Sequence, residues 1–274
     1  LIHGSSWLAA KAAKSLQEAS DSFKTGTVDE YLSFLKFYVR RLAAAKPSML
    51  AIENALLYLL GRVMEGYHRS LDVAALKELL RSEVKKWLRV KEDVFERCVD
   101  YTTSLFEERS KVLTHSFSST VFEALKRASS SGKSLEVYVT ESRPLYEGRI
   151  VAKRLAKSGC KVTLITDASI GYFTKEVNLA LTGADTISAD GSIVNKIGTY
   201  LVALAAQKAC IPFYVAAETL KIGVRTLFAK PPLEERSPTE VYKGSRNIKV
   251  RNIYFDITPA DLVTKIVCEH GFIN

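Results

Sequence analysis

The sequence predicts an α/β protein with an N-terminal helical bundle domain, residues 1–108, and a C-terminal domain, residues 109–274, built on a mainly parallel sheet. Two observations carry this reading. Up to about residue 108 every apolar pattern has helical spacing, whereas from Lys111 short apolar runs of strand length alternate with helical stretches. Such alternation builds parallel sheets covered on both faces, because each crossover lays a helix against the sheet. A third observation locates the chemistry: polar side chains concentrate just after the strands.

In the first part the spacing predicts a helix from Trp7 to Leu16, after the small polar Gly4-Ser5-Ser6. A second runs from Val28 to Ala45, with Leu32, Leu35, Tyr38 or Val39, and Leu42 on one stripe. Lys46-Pro47-Ser48 breaks it, since the residue before proline avoids the helical region and proline is tolerated at a helix start. Met49–Met64 is a strongly apolar helix, and Leu71–Arg89 and Val94–Glu108 are two amphipathic ones. In the second part strands are expected at Lys111–Thr114, Leu135–Thr140, Lys161–Thr166, Leu179–Thr182, Ile211–Ala216 and Lys249–Phe255. Helices are expected at Val121–Ala128, Tyr146–Lys157, Ile170–Val177, Val194–Cys210 and Ala260–Glu269. Residues 217–248, with Pro231-Pro232 and Pro238, read as an irregular excursion over the surface.

Composition narrows the function classes. Of 274 residues, 47% are hydrophobic and 25% charged, enough apolar material for one large core or two smaller ones. No apolar run reaches the roughly 18 residues that a membrane span requires, and the first residues lack the basic-then-apolar pattern of a signal peptide. A cytoplasmic protein is expected. The four cysteines, Cys98, Cys160, Cys210 and Cys268, are far apart and the histidines are scattered, so buried free thiols are expected and no metal site, disulfide framework or cofactor. Net charge is +9, with 16 Lys and Arg against 15 Asp and Glu in residues 1–108, so nearly all the excess lies in the C-terminal part. That suits anionic ligands. Lys243, Arg246, Lys249 and Arg251 lack interleaved stacking aromatics, so direct nucleic-acid binding is not expected.

In open parallel sheets, ligands bind beyond the carboxyl ends of the strands. The strand ends give His115, Ser116, Ser118 and Ser119; Glu141-Ser142-Arg143; Asp167; Asp185 with the loop to Asn195-Lys196; Glu218-Thr219; and Asp256-Ile257-Thr258. Ser118 or Ser119, Asp167 and Thr258 fit helix caps. Arg143, Asp185, Asn195 and Lys196 do not. Two cations, an amide and a carboxylate suit a phosphorylated polyol, with Asp185 able to handle a hydroxyl proton. Neither a dinucleotide fingerprint nor a nucleoside-triphosphate phosphate loop follows any strand.

In order along the chain stand Thr114-His-Ser-Phe-Ser-Ser119, Glu141-Ser-Arg-Pro-Leu-Tyr-Glu-Gly148, Gly183-Ala-Asp185, Asn195-Lys-Ile-Gly-Thr-Tyr200 and Ile211-Pro-Phe-Tyr-Val-Ala-Ala217. This set resembles the alpha, beta and delta regulatory subunits of translation initiation factor 2B and their archaeal homologues. The same superfamily includes methylthioribose-1-phosphate isomerase and ribose-1,5-bisphosphate isomerase. The resemblance is strong over residues 111–217 and weaker in the helical part, where Gly4-Ser5-Ser6-Trp7 and Lys46-Pro47-Ser48 look like the family's phosphate-side motifs. It implies a Rossmann-like C-terminal domain, an interdomain ligand cleft and a homodimer formed through the C-terminal domain.

It also implies roles. Asp185 matches the isomerases' catalytic Asp, while Ser116 stands at their catalytic Cys position. A hydroxyl is a far weaker acid than a thiol, whose ordinary pKa is about 8.5, so Ser116 favours a non-catalytic member. Gly4, Ser5, Lys46, Arg143, Asn195 and Lys196 are the expected ligand-binding residues. His3 and Lys46 stand where isomerases carry Arg, and Lys keeps the charge but loses the bidentate fork. The reading is therefore a regulatory-subunit-like protein that binds a sugar phosphate or nucleotide, with initiation factor 2 or its alpha subunit as partner. The alternative is a phosphosugar aldose–ketose isomerase.

Overall fold

A computed structural model describes residues 4–229, 231, 233–245 and 247–273. Four helices open the chain: α1 (Ser5–Ser22), α2 (Val28–Ala44), α3 (Leu50–His68) and α4 (Val73–Thr103). Thr27 and Asp72 cap α2 and α4 by accepting the amides of Glu30 and Ala75. Tyr31, Leu35, Leu56, Leu59 and Leu76 form the heart of their shared core. Each such side chain contributes about 1.5–3 kcal/mol when fully buried.

The expected break between Arg89 and Val94 is absent; α4 runs on as one 31-residue helix. No Gly or Pro interrupts it, and its apolar stripe changes partner instead. Val84 and Trp87 pack into the helical core, while Phe95 and Val99 pack against the sheet. One helix thus joins the two cores.

The sheet strands are β1 (Lys111–Thr114), β2 (Glu136–Thr140), β3 (Lys161–Ile165), β4 (Leu179–Gly183), β7 (Phe213–Ala216), β10 (Lys265–Cys268) and β11 (Gly271–Ile273). Their order is β11-β10-β7-β4-β1-β2-β3, all parallel except β11. Helices α5 (Ser119–Ser130) and α6 (Glu147–Lys157) cover one face; α7 (Ile170–Phe173) and α8 (Thr199–Lys208) cover the other. The period of two is visible within β1, where Val112 enters the first of these cores and Leu113 the second. Strand order reverses between β1 and β4, the switch point where doubly wound sheets open a crevice.

A second sheet, ordered β8-β5-β6-β9, comprises β5 (Thr186–Ser188), β6 (Ile193–Lys196), β8 (Ile222–Gly223) and β9 (Phe255–Thr258). Here three expectations are corrected. Val194–Lys196 is strand rather than helix start, because Gly198 in the left-handed region (φ +106°) delays α8 to Thr199. The strand expected at Lys249–Phe255 begins only at Phe255. The helix expected at Ala260–Glu269 is a 3₁₀ turn followed by β10, whose Lys265–Val267 register against β7. The described residues of 224–248 are largely irregular, as expected. Cys98, Cys160 and Cys268 are buried free thiols, but Cys210 is exposed. Among the described residues no helix is long and apolar enough to cross a membrane.

Candidate functional site

Asp185 follows β4 at the switch point and lines two small adjoining cavities of about 20 and 60 Å³. Gly4 at the start of α1 lines both. The smaller one has the features of an anion cradle. Gly4 caps α1 without a side-chain hydrogen bond, and the first turn of α1 holds no acidic residue. The start of α5, at Ser118 and Ser119, faces the same space. Helix N-termini present free amides and partial positive charge to such a space. Ser118 does cap α5, accepting from the Val121 amide at 3.3 Å. Gly183 permits this approach, since a Cβ there would lie 2.6 Å from the Ser118 side chain.

Lys221 completes the cradle. It is 6% exposed and lines the cavity beside Asn195 and Asp185. No carboxylate lies within ion-pair distance of it among the described residues, although its charge acts on Asp185. The sequence reading stopped at Glu218-Thr219 and missed it. The available signal was a lysine shortly after the fifth strand's carboxyl end, in a stretch without periodicity. Asn195, on β6, donates to Thr199 Oγ1 at 2.9 Å, which orients its carboxamide beside the cradle.

The second cavity is lined by Ser116, Glu147, Asp185, Lys196 and Tyr254. Lys196 is 2% exposed; it pairs with Glu147 and lies 3.3 Å from the centre of the Tyr254 ring. Burial pulls the Lys196 ammonium below its ordinary value, against the pull of Glu147 and Asp185. Burial likewise pushes Asp185 up, opposed by Lys221, Ser5 and Lys196. A carboxyl raised in this way is suited to giving as well as taking a proton. Ser116 holds a left-handed conformation (φ +64°), pinned by its amide donating to Ser142 Oγ at 2.9 Å.

Two expected ligand residues lie apart from these cavities. The Arg143 guanidinium donates to Tyr146 Oη and, at 3.1 Å, to the Val241 carbonyl. Lys46 donates to Glu234 at 3.0 Å, and Ser48 donates to the other oxygen of the same carboxylate. Thus the structure brings together Gly4, Ser5, Ser116, Asp185, Asn195 and Lys196, adds Lys221 and Glu147, and engages Arg143 and Lys46 elsewhere. His3 and Arg246 lie outside the described residues. Asp167 is no helix cap; its carboxylate accepts the amides of Ser142 and Arg143 at 2.8 and 2.7 Å, holding that loop. A wider groove of about 440 Å³, lined by Trp7, Lys11, Lys14 and Lys91, shares Ser6 and Ser119 with the smaller cavity. It borders the smaller cavity.

Asp256, opposite Asn195 in the β6–β9 pair, holds the turn before α8 by accepting from Gly198 and Tyr200 amides at 2.7 and 3.2 Å. Its other oxygen is buried without a partner, and burial pushes the carboxyl up to about 6. The folded state therefore binds this proton more tightly than the unfolded one. Stability from this group is fully present at low pH and falls as pH rises from about 4 to 6. Asp256→Asn is expected to flatten that window and raise stability above pH 6, by up to about 3 kcal/mol. Urea titrations between pH 4 and 7 measure this; parallel curves for the two proteins would refute it.

A two-part fold with a doubly wound parallel sheet, and a cleft at its switch point closed by helix N-termini, defines the class. Comparison with known proteins gives the rest. The chain belongs to the Initiation factor 2 subunit family, whose description matches residues 1–274. It is 35% identical, over 99% of this chain and 91% of the relative, to a Pyrococcus furiosus protein named translation initiation factor eIF-2B subunit 2-like. It is 32% identical, over 99% of this chain and 87% of the relative, to ribose 1,5-bisphosphate isomerase of Thermococcus kodakarensis. The crystal structure of the Pyrococcus horikoshii translation initiation factor eIF-2B superposes with a TM-score of 0.86 at 33% identity, covering 100% of this chain and 92% of that one.

Proposed function

We propose that the protein binds a sugar phosphate or nucleotide at the cradle beside Asp185 and acts as an initiation factor 2B regulatory-subunit-like factor rather than an isomerase. The observation that carries the binding claim is the buried, unpaired Lys221 facing two helix N-termini. An anion supplied there would give that ammonium a direct partner, beyond the charge of nearby Asp185. Asp185 and Glu147 then face the hydroxyl-bearing remainder of the ligand. Ser116 carries the non-catalytic claim, since its hydroxyl stands where proton transfer would need an acid of near-neutral pKa.

The isomerase reading has its own support: the raised Asp185 carboxyl, with Asn195 and Lys196 beside it. Turnover separates the two. At about 100 times its dissociation constant, ribose 1,5-bisphosphate should stabilise the protein by roughly 2.7 kcal/mol, and Lys221→Ala should abolish the effect. The unmodified protein should form no ribulose 1,5-bisphosphate. Production of it by the wild type, lost in Asp185→Asn, would establish the enzyme instead. Gain of turnover in Ser116→Cys would show that only the thiol was missing.

For partners, we propose a homodimer and association with initiation factor 2 or its alpha subunit, in a cytoplasmic setting. Helices α7 and α8 leave Tyr172, Leu201 and Leu204 exposed, apolar material that a second C-terminal domain would cover. Sedimentation and pull-down with initiation factor 2 test the two associations.

A further inference from the structure

We infer that Glu218 is the positioning residue that sets the anion cradle, an inference that rests on the phosphosugar-site reading above. Glu218 follows β7, is 1% exposed and does not line the cavity. Its Oε2 accepts from Ser6 Oγ at 2.5 Å, across 212 residues of chain. Ser6 lies in the first turn of α1, whose free amides face the cavity. The Glu218 carbonyl accepts from the Lys221 amide at 3.0 Å, closing the turn that aims Lys221. One buried residue therefore holds both anion-binding elements, one from each end of the chain.

Simple packing does not account for an acid at this place. Its Oε1 is buried and makes no hydrogen bond, a cost that an apolar side chain of the same size would avoid. The neighbouring turn residue is secured separately: the Thr219 amide donates to Glu269, itself 4% exposed, at 3.0 Å. Glu218 is thus not needed to anchor the turn as a whole. Its side chain is committed to Ser6, and through Ser6 to the register of α1 against the sheet. A hydroxyl–carboxylate bond is also directional, so it fixes where the α1 amides point, which apolar contact alone does not.

Binding of ribose 1,5-bisphosphate and of inorganic phosphate, measured by calorimetry, tests this. Glu218→Ala should weaken both probes at least about ten-fold, the scale of losing a hydrogen bond to a charged group. Glu218→Gln keeps an acceptor for Ser6 and should return affinity to within about three-fold of wild type. Ser6→Ala should lose as much as Glu218→Ala, and the double variant no more than either alone. A lower melting temperature with unchanged affinity in Glu218→Ala and Ser6→Ala would overturn the role while leaving the site intact. Losses that multiply in the double variant would overturn it too. If Glu218→Ala does not fold, unchanged affinity in Ser6→Ala suffices to overturn it. If the wild type binds neither probe, the site reading falls and the role of Glu218 with it.

Discussion

Glu147→Ala should unfold the protein more readily by about 3–5 kcal/mol, the cost of leaving a buried charge without its partner. Glu147 and Lys196 are 4% and 2% exposed, and among the described residues the ammonium has no second carboxylate within ion-pair distance. The Tyr254 ring beneath it offers about 2 kcal/mol of cation–π attraction when desolvated, which is too little to replace an anion. The sign of the pH dependence is specific. Burial already holds Lys196 below its ordinary value, and removing Glu147 lowers it further. Below that folded value the fold must bury a charged ammonium; above it the folded lysine is neutral while the unfolded one stays protonated. The defect of Glu147→Ala should therefore shrink as pH rises towards 10.5, the ordinary lysine value. Replacing both partners, as Glu147→Leu with Lys196→Met, should recover most of the loss, because neither then needs the other. Urea denaturation across pH gives all three results. A defect that grows with pH, or a double variant no better than the single, would refute the account.

Gly148→Ala is the second large effect. Gly148 is the second residue of α6, and a Cβ there would lie 1.7 Å from the Thr140 carbonyl oxygen and 2.9 Å from its carbon. These are backbone atoms, so no rotamer relieves the clash. Alanine gains about 1 kcal/mol of helix propensity over glycine. The overlap costs about 3 kcal/mol or more, since α6 must move away from β2. The steric cost wins. The movement also reaches the site, because Glu147 precedes Gly148 and Thr140 hydrogen-bonds His115 and Ser142. Denaturant midpoint should fall with an unchanged slope, and a variant as stable as wild type would show the contact to be softer than drawn.

The helical character of the first part and the parallel strands β1, β2, β3, β4 and β7 were legible because each buries a periodic face: Leu32 and Leu35 at helical spacing, Val112 and Leu113 alternating across the sheet. Strand β10 was not, since it reads as part of a helix. Asp185, Asn195 and Ser116 were legible because strand ends in such sheets face the ligand crevice. Lys221 and Glu218 were not, since their turn has no periodicity and Ser6, the partner of Glu218, lies 212 residues away. The second sheet was also hidden. Its strands have two to four residues, and β6 reads as the first turn of α8 until Gly198 separates them.

By itself, then, the sequence determined a helical part followed by a parallel sheet, and the placing of Ser116 just after the first of its strands. Those properties reside in local patterns and in residue identity. Only the tertiary structure decided which charges meet. It committed Lys46 to Glu234 and Lys196 to Glu147, and left Lys221 at two helix ends with no carboxylate within ion-pair distance among the described residues. Electrostatic attraction acts through space and strengthens as water is excluded. Which cation remains available for a ligand is therefore a property of burial and distance.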